Sequence, residues 1–322
     1  MDCPGIGPCN EALFSARHTE INRIFSFANH RSRRKSKLLI ILTGPAGEGK
    51  STVLHHAVKG LEDKHTKALK CVFIPESYRT TVFPYVYRSF LHGLGMNEVA
   101  RCVRGTRNKA GELNSKNFQK YLNKFCNMKV FQRYFEQYTY PNFRRYLFLD
   151  FERIMSILSH SNIGFQALLN APAWRQPHML AILCNMFYYT GVKRILICLD
   201  GFEHAWMLWI KSARTRPKMR LLLSIMQLVD LLKGPVCVFL TCDRGITRYD
   251  LMEGDYKIFQ EPFGQVLEVR LHDLSFKERL YIARKYARYY GISTLVPEEI
   301  IQECSLREII QHLIYGHVQA IA

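Results

Sequence analysis

A glycine-rich segment that ends in a lysine and two hydroxyl residues is the strongest chemical signal in the sequence. It follows the pattern G-x-x-x-x-G-K-[ST] with one further threonine, and its residues are Gly44, Pro45, Ala46, Gly47, Glu48, Gly49, Lys50, Ser51 and Thr52. Glycines allow a tight turn whose backbone N–H groups face phosphate oxygens, and the following helix presents its positive end to the same anion. Lys50 would reach the β and γ phosphates, and Ser51 would ligate Mg²⁺. The segment therefore predicts a site for ATP and Mg²⁺.

A carboxylate that could share this metal follows a second apolar run. Residues 194–199 read Arg-Ile-Leu-Ile-Cys-Leu and lead directly into Asp200. At the carboxyl end of a buried strand next to the phosphate site, Asp200 would hold Mg²⁺ through its waters. Glu203 follows closely enough to orient or deprotonate an attacking water. The alternative is a helix-capping aspartate with a surface glutamate.

The elements that must position these residues alternate between strands and helices. Short apolar runs predict strands at 38–42, 70–74, 194–199, 236–241 and 266–269, and periodic apolar patterns predict helices at about 20–27, 82–94, 177–189 and 220–232. Such alternation predicts a three-layer α/β fold of the P-loop NTPase type, with a central parallel sheet. Ser275 to Glu278 and Ser305 to Glu308 each have the spacing of a capping box, which predicts helices near the end of the chain.

The predicted organisation is an arm and helix at 1–36, an ATPase core at 37–271 and a helical lid at 272–322. A helical insertion at about 97–172 interrupts the core, because this stretch is rich in Tyr, Phe, Lys and Arg and lacks the strand-helix rhythm. Aromatic residues interleaved with basic ones could stack on nucleic-acid bases. Aromatic residues at helical spacing are more often buried, and we favour a core role for them.

The excess of basic residues indicates what the protein binds, and the pattern of its cysteines indicates the cellular compartment in which it works. Lys and Arg outnumber Asp and Glu by 45 to 27, which gives a formal charge of +18. Such an excess attracts polyanions, so nucleic acid, and most of all DNA, is the expected partner. The alternative is a basic surface without such a partner. The ten cysteines lack the paired spacing of a zinc site, and several lie in apolar runs. We expect reduced thiols, a cytoplasmic protein without a secretory signal, and no membrane span.

With both nucleotide motifs in view, residues 12–96 and 173–322 resemble the AAA+ and STAND group of P-loop ATPases. Residues 14–21, Phe-Ser-Ala-Arg-His-Thr-Glu-Ile, are similar to the box that precedes the phosphate loop in origin-recognition-type initiators, which implies that Arg17 lies near the adenine. The strand tip at 238–244 resembles the first sensor, which implies that Thr241 reads the γ phosphate. The start of the last helix is similar to the second sensor, which implies that Arg307 approaches the γ phosphate from the lid.

The metal motif departs from the initiator pattern, because Gly201 and not an acidic residue follows Asp200. This arrangement resembles the NACHT branch of the STAND group, where a small residue follows the aspartate. It leaves the rate of hydrolysis open, between ordinary turnover and firm ATP binding with slow turnover, as in a switch. Any arginine finger would come from Arg214, Arg216 or Arg220. We therefore expect an ATPase that acts as a switch or mechanoenzyme on DNA, with a possible homo-oligomer or protein partner. The alternatives are a small-molecule P-loop kinase and a slow-turnover ATP-dependent scaffold or signalling protein.

Overall fold

The structure, a computed structural model, describes residues 17–30, 37–73, 82–131, 143–159, 161–202, 216–243, 262–289, 291–292 and 296–321. Within these ranges the α-helices are α1 (His18–His30), α2 (Lys50–Leu61), α3 (Val82–Leu94), α4 (Met96–Ala110), α5 (Phe118–Phe125), α6 (Phe143–Met155), α7 (Ser161–Leu169), α8 (Gln176–Thr190), α9 (Arg216–Leu231), α10 (Phe276–Tyr289), α11 (Glu298–Glu303) and α12 (Leu306–Ile321). The strands are β1 (Lys37–Thr43), β2 (Thr66–Val72), β3 (Arg194–Asp200), β4 (Val236–Cys242) and β5 (Gln265–Arg270).

The five strands form one parallel sheet in the order β2-β3-β4-β1-β5. β1 and β4 read as unbroken apolar runs because both of their faces are covered, which is the usual pattern of a parallel strand between two helical layers. Thr43 of β1 pairs with Cys242 of β4 and with Arg270 of β5, so these carboxyl ends meet at one edge. The predicted parallel sheet is confirmed, and its carboxyl edge carries the residues of interest.

Helices cover both faces of the sheet. On one face α1 and α2 pack against alternate residues of β1, such as Leu38 and Ile40. On the other face Leu39 and Ile41 belong to a larger cluster that includes α3, α8 and α9. This division follows from the strand period of two, which sends successive side chains to opposite faces.

The helices between 96 and 169 contribute to the larger of these two cores. Tyr121, Phe125 and Phe131 are fully buried in it, as a core role for the aromatic residues of this stretch requires. Asn185 of α8 donates from Nδ2 to the carbonyls of Phe125 and Leu231, at 2.8 and 3.1 Å, and so satisfies the ends of α5 and α9. The domain boundaries of the sequence analysis stay a prediction, but the described helices of 97–172 share a core with the sheet.

The three C-terminal helices have small apolar clusters of their own, which include Ala283, Ile301 and Ile309. Both predicted capping boxes are confirmed. Glu278 Oε2 accepts from Ser275 N and Oγ, each at 2.8 Å, and Glu308 Oε2 accepts from Ser305 in the same way. These bonds lower the pKa of both glutamates. Each box fixes where its helix begins.

The described cysteines behave as apolar residues. Cys71, Cys102, Cys198 and Cys237 are buried free thiols, and burial raises the pKa of Cys71 and Cys102 to about 12. Within the described ranges no cluster of three or more His, Cys, Asp or Glu side chains is arranged to hold a metal ion. None of the helices in the described part combines the length and apolar character that a membrane span requires.

Candidate functional site

Residues 44–49, here called the glycine loop, join the end of β1 to the start of α2. Gly47 and Gly49 have φ angles of 81° and 89°, which residues with a Cβ rarely adopt. Gly49 caps α2, since its carbonyl accepts from Thr52 N and Val53 N at 3.1 and 2.9 Å. The loop therefore delivers the chain into a helix whose free N–H groups and positive dipole end face the carboxyl edge of the sheet.

Lys50, the first residue of α2, is buried and directs its ammonium group back over the glycine loop. Nζ donates to the carbonyls of Gly44 and Pro45 at 2.9 and 3.0 Å, and to Asp243 Oδ1 at 2.5 Å. These three bonds account for the three protons that the ammonium group carries. A phosphate that binds Lys50 must therefore replace at least one protein acceptor.

Asp243 was not among the site residues expected from the sequence. It follows β4 immediately, and β4 lies next to β1 in the sheet, so its carboxylate comes out beside the glycine loop. A carboxylate directly after a buried strand is the same signal that identified Asp200. Applying that signal to β4 would have found it.

Ser51 and Asp200 lie together, although they are 149 positions apart in the chain. Ser51 Oγ donates to Asp200 Oδ1 at 3.0 Å. Thr241 Oγ1 donates to the same oxygen at 2.6 Å and accepts from Gly201 N at 2.7 Å. A hydroxyl and a carboxylate oxygen are the ligand types that Mg²⁺ prefers. The γ-phosphate role of Thr241 stays a prediction; its hydroxyl holds the Asp200 carboxylate and the turn after β3.

Arg17 lies at the start of α1, buried beside the glycine loop. Its guanidinium group donates to Glu20 Oε1 at 3.3 Å, to the Glu48 carbonyl at 3.3 Å and to the His272 carbonyl at 3.0 Å. His272 Nδ1 also lies 3.1 Å from Glu20 Oε1. Arg17 thus ties the N-terminal helix to both the glycine loop and the start of the C-terminal helices. Its expected position near an adenine stays a prediction.

Glu48 links the glycine loop to the C-terminal helices. Its buried carboxylate accepts from Arg279 Nη2 at 3.1 Å and lies 3.9 Å from Arg17 Nη2. Arg279 also donates to the carbonyls of Leu274 and Cys304, which holds α10 against the turn before α12. Two guanidinium groups therefore neutralise one loop carboxylate, a pairing that a buried charge requires. No local sequence pattern indicates this pairing.

The start of α12 approaches the loop at Gly47. A Cβ placed on Gly47 would lie 2.7 Å from Ser305 Oγ and 3.3 Å from Arg307 Cβ, so only glycine fits there without displacement. Arg307 is exposed at this point. Its backbone therefore lies at the glycine loop, while its contact with a γ phosphate stays a prediction.

Several residues expected at the site lie outside the part of the chain that the structure describes. Glu203 and Arg214 are two of them. Arg216 and Arg220 lie in α9, but their side chains fall outside the described part. Ala46 is exposed and Pro45 half-exposed at the crest of the loop, beside the exposed Ser51. The candidate site residues that the structure describes near the carboxyl edge are therefore the glycine loop, Lys50, Ser51, Asp200, Thr241 and Asp243.

No known protein-family model matches this chain, and no curated protein matches it. The function of this chain is therefore inferred from the geometry of the site and from the chemistry of its residues.

Proposed function

We propose that this chain is a cytoplasmic ATPase of the AAA+ and STAND type, with a P-loop NTPase fold, which binds Mg·ATP at the glycine loop and acts on DNA. The observation that carries the proposal is the meeting of Ser51 and Asp200, 3.0 Å apart, beside the buried Lys50 at the start of α2. Helix start, ammonium group, hydroxyl and carboxylate are the parts that phosphoryl transfer requires. The first three come from the start of α2, and the carboxylate comes from the end of β3.

The residues divide the work by their chemistry. The N–H groups of the glycine loop and of the first turn of α2 bind phosphate oxygens. Lys50 exchanges its bond to Asp243 for the β and γ phosphates, and this exchange keeps its charge compensated throughout. Ser51 and Asp200 would hold Mg²⁺, whose preferred ligands are oxygens such as theirs. The bound ion would neutralise charge that develops on the β and γ phosphates.

Water activation falls to Glu203 in this proposal, with Arg307 approaching the γ phosphate from the lid. Thr241 supports the metal ligand through its 2.6 Å bond to Asp200 Oδ1. The buried side chain of Thr241 is 1% exposed, so it acts on the site through Asp200 rather than from solvent. Nucleic acid as the partner is supported by the formal charge of +18.

The first experiment is titration calorimetry with Mg·ATP on the wild type, Lys50→Ala and Lys59→Ala. Lys59 lies on the same helix, exposed in its last turn, and is the matched control. We expect heat of binding in the wild type and in Lys59→Ala and none in Lys50→Ala. A wild type without binding heat, or equal heats in all three proteins, would overturn the proposal.

Turnover is measured as phosphate release with and without DNA, for the wild type and Asp200→Asn. We expect release by the wild type that falls at least tenfold in Asp200→Asn, because the metal loses its carboxylate ligand. Product analysis with labelled ATP separates hydrolysis from transfer to a small molecule. Label recovered in a phosphorylated small molecule would replace the ATPase with a kinase.

A further inference from the structure

The outer side of α10 carries a row of basic residues with one tyrosine among them. Lys277, Tyr281, Arg284 and Arg288, here called the α10 stripe, are exposed, and the Tyr281 side chain is 46% exposed. Their spacing of four, three and four residues places them within a sector of about 60° on a helix of 3.6 residues per turn. The α10 stripe is thus a single face of one helix, roughly 16 Å long.

The opposite side of α10 forms the packing surface. Ile282, Ala283 and Ala287 are buried in the apolar clusters that join α10 to α11 and α12. Because the helix meets its apolar requirement on this side, the α10 stripe contributes little to folding. Its composition needs another explanation than packing.

The α10 stripe is positively charged along its whole length. Lys285 places Nζ 4.4 Å from the centroid of the Tyr281 ring and adds a further cation beside it. In the described part of the chain, no ion pair joins Lys277, Arg284 or Arg288 to a carboxylate. The nearest acidic residue along the helix, Glu278, accepts from the backbone and hydroxyl of Ser275.

The other acidic residues of the C-terminal helices lie on α11 and α12. Glu298, Glu299 and Glu303 are on α11, and Glu308 caps α12 through Ser305. The positive charge is therefore concentrated on one helix face rather than spread over the three helices. Cations at intervals along a groove or ridge follow a phosphate backbone, and an exposed aromatic ring among them offers a surface for stacking a base.

We propose that the α10 stripe binds single-stranded nucleic acid. Lys277, Arg284 and Arg288 contact successive phosphates, and the Tyr281 ring stacks on one unpaired base. The exposed ring favours a single strand over a duplex, since paired bases do not offer a face for stacking. The inference rests on the proposed function, from which it takes the nucleic-acid partner, and it adds the surface and the form of the strand.

The same helix contacts the glycine loop from its other side. Arg279, two residues after Lys277, lies about 160° around the helix from it and donates to Glu48 at 3.1 Å. The α10 stripe and the residue that contacts the glycine loop therefore lie on opposite sides of one helix.

The test is fluorescence anisotropy with a labelled twenty-nucleotide oligo(dT) at several salt concentrations. The variants are Arg284→Ala with Arg288→Ala, Tyr281→Ala alone, and the control pair Arg104→Ala with Arg145→Ala. Arg104 on α4 and Arg145 on α6 are exposed, so this pair removes the same charge at other sites. Mg·ATP calorimetry and thermal denaturation are measured on every variant.

We expect the Arg284 and Arg288 pair to weaken oligo(dT) binding at least tenfold and to reduce the slope of log K against log salt by about 1.4. Tyr281→Ala should weaken binding roughly five- to hundredfold with the slope unchanged, because it removes stacking and no charge. The control pair should change affinity less than threefold. All variants should keep the wild-type denaturation midpoint and Mg·ATP affinity.

Equal losses in the stripe pair and the control pair would mean that only net charge matters, and would overturn the proposal. Tighter binding of a duplex of the same length, lost with the same variants, would overturn the single-strand assignment. The two proposals fail separately: Lys50→Ala tests the nucleotide site, while the stripe variants leave that site intact.

Discussion

The carboxyl edge of the sheet and the larger apolar core on one of its sides, here called the helical face, are held together by different kinds of contact. On the helical face Phe151, Tyr121 and Phe125 are fully buried, with ring centroids 5.5 to 6.1 Å apart. At the carboxyl edge the close contacts are ionic, as between Lys50 and Asp243. Aromatic packing does not depend on a ligand, whereas an ionic acceptor can be exchanged for another anion. The comparison predicts that the helical face determines stability and the carboxyl edge determines binding.

The largest expected effect is on stability, in Phe151→Ala. The Phe151 ring is 0% exposed and contacts Phe118, Tyr121 and Phe125 edge to face or tilted. Its loss leaves a cavity, and we expect the free energy of unfolding to fall by about 3–5 kcal/mol. Urea denaturation measures this change. The Mg·ATP affinity of the folded variant should stay within twofold of the wild type. A tenfold loss of affinity would contradict the separation of stability from binding.

A second effect on stability should depend on pH, through His178. This residue is buried on α8 against the Phe131 ring, with Nε2 2.9 Å from Gln227 Nε2. Burial lowers the pKa of His178 to about 4 from an ordinary value of 6.5. In the unfolded chain His178 therefore binds a proton below about pH 6.5, whereas in the folded chain it does so only below about pH 4.

The contribution of His178 is present in full above pH 6.5 and is lost as the pH falls toward 4, by up to about 3 kcal/mol. His178→Gln should remove this part of the pH dependence, measured as urea denaturation of wild type and variant at pH 7, 5.5 and 4. His312→Gln, at an exposed position on α12, is the control and should keep the wild-type dependence. Parallel curves for wild type and His178→Gln would contradict the assignment.

The smallest expected effect is on binding, in Asp243→Asn. Removing the carboxylate leaves Lys50 without a competing anion, so Mg·ATP should bind about three- to tenfold more tightly. The gain is modest because Asp243 is 35% exposed and water screens the pair. Calorimetry measures the affinity. The control is Asp230→Asn, which breaks the Lys37–Asp230 pair away from the site and should leave affinity unchanged. Weaker binding in Asp243→Asn would show that Asp243 holds Lys50 in place for phosphate.

Much of the fold could be predicted from the sequence, because the central strands are covered on both faces and read as continuous apolar runs. β1 and β4 were expected within one residue at each end. β2 was expected at 70–74 but spans Thr66–Val72, and this prediction was wrong in its bounds. β2 is an edge strand in which Lys67 interrupts the apolar pattern, so the sequence indicated only the later part of the strand.

The sequence indicated candidate site residues wherever a motif assigns one chemical role to one residue type. Lys50 and Ser51 follow from the glycine pattern, and Asp200 follows from the apolar run before it. The pairing of Lys50 with Asp243 and of Glu48 with Arg279 joins residues 193 and 231 positions apart. Such pairs depend on strand order and helix packing, which local patterns do not contain.

The Glu48–Arg279 bond has a thermodynamic consequence if both proposals hold. Suppose ATP in the glycine loop changes the affinity of α10 for a nucleic-acid strand by some factor. Linkage then requires the strand to change ATP affinity by the same factor. Because the bond is the direct side-chain contact described between loop and helix, its share of that factor depends on how much the bond changes when either ligand binds. A bond that is the same in every bound state would carry no coupling between the two ligands.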